Sequence, residues 1–302
     1  METLSIASDI KIFGTLVTAF PLGIGDTFNR VIETVPDGRQ RACYGISSMN
    51  EQGEVLYFAA IAEQVPGEAE KYQFERRVVP KGDYLAVTVV GWLQKTHCIK
   101  DVFHEMMQDD RYAHDTPCIE WYKNDSEMVC LLQVNPVKKL LHEISNTVNE
   151  LKTLAGSLQE EQLNAVPFAK SWTAAQVVIH VTKSVRAMAQ AMEMPGKPAA
   201  RDITARVQEL KNMFLNFSVK YASPEFIVPA DKHYSKVLLV EGLKTAVQQL
   251  SKNAENANLC EIISLPGFSE ISKMELLHFV LYHTRRHLHQ LKNILPHLQL
   301  SM

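Results

Sequence analysis

Eleven histidines occur in the chain, and His278, His283, His287, His289 and His297 fall within its last 25 residues. An α-helix turns about 100° per residue, so His283 and His287 point within about 40° of each other, one turn apart. At that spacing two imidazoles can chelate one metal ion. His278 and His289 lie more than about 90° away, and His297 sits about four turns from His283. Leu277, Val280, Leu288, Leu291, Ile294 and Leu295 form an apolar stripe with the His283/His287 pair at its edge, so both rings should face neighbouring helices. His180 is the best third ligand, on the same helical face as Val177, Lys183 and Ser184. Three neutral imidazoles would leave an ion its full 2+ charge and an open position, suited to activating water or a thiol. The same residues also fit a plainer role, as a surface pair and a satisfied core histidine, and spacing alone leaves both readings open.

A second candidate is Glu120, within Pro117-Cys-Ile-Glu-Trp-Tyr122. On a strand, Ile119 and Trp121 share one face and Cys118, Glu120 and Tyr122 the other. A carboxylate lining an apolar cleft would pair with a cationic or hydrogen-bond-donating ligand. An exposed sheet edge would give the same alternation.

Two different kinds of element must position these residues. Before Asn135-Pro136, the runs IKIFGTLVTAF, ACYGISS, EVLYFAAIA, YLAVTVVGW, CIEWY and MVCLLQV are rich in β-branched and aromatic residues. Helices are expected at Gly25–Thr34 and Thr96–Gln108, the latter with Ile99, Val102, Phe103, Met106 and Met107 on one face. Turn-rich segments at Met49–Gly53 and Lys123–Ser126 close two hairpins. The order is strand, helix, strand, strand, twice over: a duplicated βαββ unit in residues 1–134. After Pro136 the pattern is helical. One helix runs to about Gly156 and a second opens on the capping box Thr173-Ala-Ala-Gln176. Others are expected near Thr204–Tyr221, Val240–Ala254 and Ser272–Leu295, making residues 137–302 an antiparallel four-helix bundle with an extra helical segment. The fold class is therefore α+β followed by all-α.

The 302-residue chain carries 31 Lys+Arg and 34 Asp+Glu. That balance hides an asymmetry: residues 1–134 hold 12 basic and 20 acidic residues, and residues 135–302 hold 19 and 14. The acidic half argues against broad nucleic-acid contact, and the basic half has no Lys/Arg run longer than two. No apolar stretch approaches the roughly 18–20 residues of a membrane span. The start METLSIASDIKIFG lacks a signal-peptide pattern, and five cysteines without CxxC spacing suit a reducing compartment, so a cytoplasmic protein is expected.

The segments SWTAAQVVIH (171–180) and LYHTRRHLHQLKNI (281–294) make residues 137–302 resemble the DinB-like (DinB/YfiT) helical-bundle family. The matching residues are Trp172, Thr173, His180, His283 and His287. The resemblance implies a divalent metal, Zn²⁺, Ni²⁺ or Fe²⁺, on those three histidines, chemistry with a low-molecular-weight thiol (a thiol transferase) or hydrolysis, and a homodimer. VVPKGDYLAVTVVG (78–91) and PCIEWY (117–122) make residues 1–134 similar to the GyrI-like effector-binding domain, found also in AraC-type and MerR-type regulators. That implies a cleft for small organic, often cationic aromatic compounds, with Glu120 at its centre and Tyr84, Tyr122 and Trp92 lining it; Phe58 and Tyr57 are further lining candidates or core residues. Some GyrI-like relatives hydrolyse reactive small molecules. Residues 1–24 leave no room for the helix-turn-helix that precedes this domain in regulators, so no DNA-binding domain is expected. Together the resemblances imply a bacterial small-molecule-binding protein with a metal centre, in detoxification or resistance. The alternative is a non-catalytic ligand sensor or sequestering protein acting through a protein partner.

Overall fold

The computed structural model describes residues 1–299 and divides the chain into two compact units, Met1–Lys139 and Leu140–Met302. In the first unit the strands are β1 (Glu2–Ile6), β2 (Ile10–Leu16), β3 (Cys43–Met49), β4 (Val55–Ala62), β5 (Glu75–Val79), β6 (Gly82–Val90), β7 (Cys118–Tyr122) and β8 (Glu127–Gln133). Helix α1 (Ile24–Thr34) joins β2 to β3, α2 (Glu68–Lys71) follows β4, and α3 (Ile99–Met106) joins β6 to β7. All pairings are antiparallel, in the order β1-β6-β8-β7-β3-β4-β2-β5.

This order contains the expected duplication, β2-α1-β3-β4 and β6-α3-β7-β8, with one addition. Each copy is preceded by a strand, and each leading strand pairs with the other copy: β1 lies on β6 and β5 on β2. These two strands, ETLSI and ERRVV, escape the apolar pattern because they form the two ends of the sheet, where charged residues are tolerated and blunt the open edge.

Both connecting helices pack on one face of the sheet. Val31 of α1 and Val35 just past its end bury against Phe13 and Ile61, and Phe103 and Met106 of α3 bury against Met128, Cys130 and Leu132. The opposite face has its own core, in which Ile12, Tyr44, Ile46, Phe58, Tyr84, Ile119 and Leu131 cluster. A two-faced core explains why the strand segments read as nearly continuous apolar runs rather than a clean alternation.

The second unit is built on four long helices, α4 (Pro136–Ser157), α6 (Ala174–Glu193), α8 (Lys236–Asn256) and α9 (Lys273–Gln299), with the short α5 (Glu160–Asn164) and α7 (Val207–Phe214) between them. The unit boundary falls inside the first turns of α4. Helix α6 opens as expected: the Thr173 hydroxyl accepts from the Gln176 amide, and the Gln176 side chain accepts from the Thr173 N–H. Ion pairs Arg285–Glu143 (2.9 Å) and Lys292–Glu150 (2.6 Å) advance seven residues on both partners, so α4 and α9 run parallel. Thr182 lies beside Gly242, and Asn253 donates to the Ala189 carbonyl, so α6 and α8 also run parallel. The start of α8 meets the end of α4, so the two pairs run in opposite directions, two helices each way. The long connection after α6 returns the chain to the end where α4 finishes, and there Lys236 donates to the Leu158 carbonyl.

One expectation is revised in this connection. The helix expected over Thr204–Tyr221 is confined to Val207–Phe214; beyond it Asn216 turns the chain by accepting from the Ser218 backbone and hydroxyl. A small sheet of β9 (Lys197–Pro198), β10 (Glu261–Leu265) and β11 (Phe268–Ser272) also forms, with order β11-β10-β9. Its hairpin signal is present in EIISL-PG-FSEIS, where Gly267 takes the left-handed backbone (φ 88°) that favours glycine.

Candidate functional site

The second unit brings His180, His283 and His287 together. The Nε2 atoms of His180 and His287 each lie 3.2 Å from His283 Nε2, and all three residues are buried. Their candidate ligand atoms fall within 4.8 Å of one another. Around them, Trp172 lies 4.9 Å from the His180 ring and stacks on His287 at 6.4 Å, while Phe214 and Phe279 lie against His283.

Hydrogen bonding decides which nitrogens are free to bind. The Ile227 carbonyl, 3.0 Å from His180 Nδ1, can only accept, so Nδ1 carries the proton and Nε2 the lone pair. His287 Nδ1 faces Gln290 Oε1 at 2.8 Å, with the same consequence. Two lone pairs therefore point at His283 Nε2, and a single proton there could serve only one of them. Burial holds all three imidazoles below their usual pKa: His283 well below, His287 down to about 3, and His180 lowered against the pull of the Ile227 carbonyl. Protonation is thus a poor remedy for the crowded lone pairs, and a cation at their centre satisfies all three. The spacing suits one, since arms of about 2.0–2.1 Å in a tetrahedral zinc site put nitrogens roughly 3.3 Å apart. The charged groups acting on the rings are Lys183 and Arg286, both cationic.

In the first unit, Glu120 sits on β7, an interior strand between β8 and β3, which removes the sheet-edge alternative. It lies across from Gly45 and Cys130, on the face covered by α1 and α3, and the strands between those two helices carry it. Its Oε2 accepts from the Tyr122 hydroxyl at 2.5 Å and from the Tyr57 hydroxyl, and the two phenol oxygens are 3.1 Å apart. Glu120 and Tyr57 are 8% and 2% exposed. Burial raises the Glu120 pKa against the pull of the two phenols, and burial together with that carboxylate pushes both tyrosines far up, so they stay protonated donors. Among the described residues no Lys or Arg bonds to Glu120, which leaves the carboxylate without a cationic partner.

Half-buried aromatics surround this group. Phe28 meets Tyr122 edge-on at 5.4 Å, Trp92 does so at 4.7 Å, and the partly exposed Phe20 stacks on Tyr57 at 5.7 Å. Of the residues expected to line a cleft, Glu120, Tyr122 and Trp92 come together. Tyr84 does not: it lies fully buried on the opposite sheet face, its hydroxyl donating to the Pro80 carbonyl at 2.6 Å. Phe58 lies on that opposite face too. The strand pattern separates the two faces of β6 and β4 but does not say which of them the helices leave partly open. Tyr57, next to Phe58 in the chain, joins Tyr122 in reaching Glu120. Nothing in the sequence around Gly45 marks it as part of the site; a Cβ there would sit 1.9 Å from the Tyr57 hydroxyl oxygen and 2.8 Å from Glu120 Oε2, so the site depends on glycine at that position.

The fold and its buried group define the second unit as a helical bundle carrying a three-histidine cluster. Residues 143–291 match the family model of the DinB superfamily. In sequence the chain is similar to the uncharacterized protein YuaE of Bacillus subtilis (strain 168), with 29% identity over 157 residues, covering 49% of this chain and 90% of that protein. Among solved structures, similarity extends to SAV2435 bound to tetraphenylphosphonium (12% identity, TM-score 0.35, 46% of this chain and 95% of that one). It extends also to an integron cassette protein from the mobile metagenome of Vibrio cholerae (14% identity, TM-score 0.33, 44% and 95%). No helix among the described residues is long and apolar enough to cross a membrane.

Proposed function

We propose that this is a small-molecule-binding protein with a divalent metal centre on His180, His283 and His287 and a separate site for an aromatic cation at Glu120. The observation that carries the metal reading is the convergence of three Nε2 atoms, those of His180 and His287 each 3.2 Å from that of His283, with the Nδ1 atoms of two of the rings committed to acceptors. When bound, Zn²⁺, Ni²⁺ or Fe²⁺ would supply Lewis-acid activation of a water or thiol. The chain's own groups favour an anionic co-ligand such as a thiolate, because the imidazoles are neutral and the nearby charges, Lys183 and Arg286, are positive. Trp172, Phe214 and Phe279 make the surroundings apolar, which strengthens electrostatic attraction there. The carboxylate at Glu120, desolvated, ringed by aromatics and lacking a cationic partner, supports the ligand class proposed for the first unit. A thiol-transferase or hydrolase acting in bacterial detoxification or resistance fits these two sites.

The deciding experiment is elemental analysis of protein purified without a histidine tag, comparing wild type with His283→Ala. Near-stoichiometric metal in the wild type, absent from the variant, is the expected result. No metal in either, even after Zn²⁺ or Ni²⁺ is added, overturns the metal reading and leaves a ligand sensor or sequestering protein. For the first unit, calorimetric titration with tetraphenylphosphonium should show binding that Glu120→Gln weakens at least about tenfold, through loss of the buried charge; equal affinities would remove Glu120 from the site.

A further inference from the structure

We infer that Gln290 is a positioning residue for the metal centre, presenting His287 to the ion in the one tautomer that can bind; the inference rests on the metal reading above. Gln290 stands three residues after His287 on α9, so its amide lies one turn along the same helix face. Its Oε1 is 2.8 Å from His287 Nδ1. An accepting oxygen there keeps the proton on Nδ1 and the lone pair on Nε2, which is the atom facing His283 and His180. Without it a neutral imidazole is free to place its proton on Nε2, where it would block the ligand position.

The same job is done for His180 by different means. Its Nδ1 donates to the Ile227 carbonyl, a backbone group supplied by the connection between α7 and α8. Two rings are thus set by acceptors from separate parts of the chain, one of them a side chain that can be replaced. The chemical type matters as well. An amide oxygen orients the ring without adding charge, so the centre keeps three neutral ligands; a carboxylate at this position would raise ligand basicity.

The test uses the full chain with Zn²⁺ as the probe. Affinity is measured by competition with a chromophoric chelator, and the tautomers of the metal-free protein are read from long-range ¹H–¹⁵N spectra of the histidine rings. Gln290→Met keeps the side-chain size and removes the acceptor; it should weaken Zn²⁺ binding about 10- to 100-fold and turn His287 into a mixture of tautomers. Gln290→Glu restores an acceptor and should bind at least as tightly as wild type. Unchanged affinity in Gln290→Met overturns the inference, as does equal weakening in both variants, which would mean that packing rather than the acceptor matters. If wild type binds metal and only this pattern fails, the metal centre stands without a role for Gln290. If wild type binds no Zn²⁺, the metal centre falls and this inference with it.

Discussion

Gly45 decides the geometry of the first unit's site by what it lacks. Its partners across the sheet are Ala59 and Glu120, and the missing side chain leaves the space in which the Tyr57 hydroxyl reaches the carboxylate. Gly45→Ala would drive a methyl into that hydroxyl, because the Cβ position is only 1.9 Å away. The expected cost is about 1–3 kcal/mol of stability, seen as a lower urea midpoint, together with weaker binding of an aromatic cation. A variant as stable and as competent as wild type would show that Tyr57 is free to move aside. Residue types announced part of this group beforehand. Glu120 and Tyr122 share a strand face by simple alternation. Tyr57 is 63 residues from Glu120, and nothing local in EVLYFAAIA points to its partner.

At the level of elements, the turn before β3 is tied to α2 by charge. Arg41, 9% exposed, donates from both terminal nitrogens to Glu68 at 2.7 Å and is also bonded to Asp37. Glu68 accepts in addition from the backbone N–H groups of Gln64 and Val65. The Arg41 guanidinium holds the Glu68 pKa down at about 2, against an ordinary value of 4.5. A carboxylate whose pKa is depressed on folding adds stability that is fully present above its unfolded value and is lost as the pH falls through its folded one. The Arg41 ion pair and the two backbone bonds should therefore add stability at neutral pH that disappears between about pH 4.5 and pH 2. Urea unfolding of wild type and Glu68→Gln across that range should give curves that converge at the acid end; a constant gap would mean that the charge is not the source. Helix α6 carries a different kind of local instruction. Its Thr173/Gln176 capping box is legible in four residues and forms as read. The edge strands β1 and β5 are the opposite case, because their stability comes from pairing with the other copy and not from their own composition.

On the scale of the whole molecule, metal binding and folding of the helical unit are linked. The three histidines come from α6 and α9, which unfolding separates, so an ion held by all three binds the folded state alone. Zn²⁺ at about a hundred times its Kd should add about 2.7 kcal/mol. For a unit of this size that raises the thermal midpoint of the helical transition by roughly 5–10 °C, measurable by circular dichroism with and without chelator. A midpoint indifferent to Zn²⁺ in protein shown to carry the metal would mean that the ion also holds the unfolded chain. The duplicated sheet, the helical second half, the one-turn spacing of His283 and His287 and the shared face of Glu120 and Tyr122 are all written in the sequence, because periodicity and spacing report which side of its own element a residue occupies. Only the tertiary structure decided that His180 meets His283 across 103 residues, that Tyr57 and not Tyr84 reaches Glu120, that β7 is interior, and that α4 and α9 run parallel. Those facts depend on which elements pack together and in what register, and that is set by burial of the chain as a whole, where residues distant in sequence share one core.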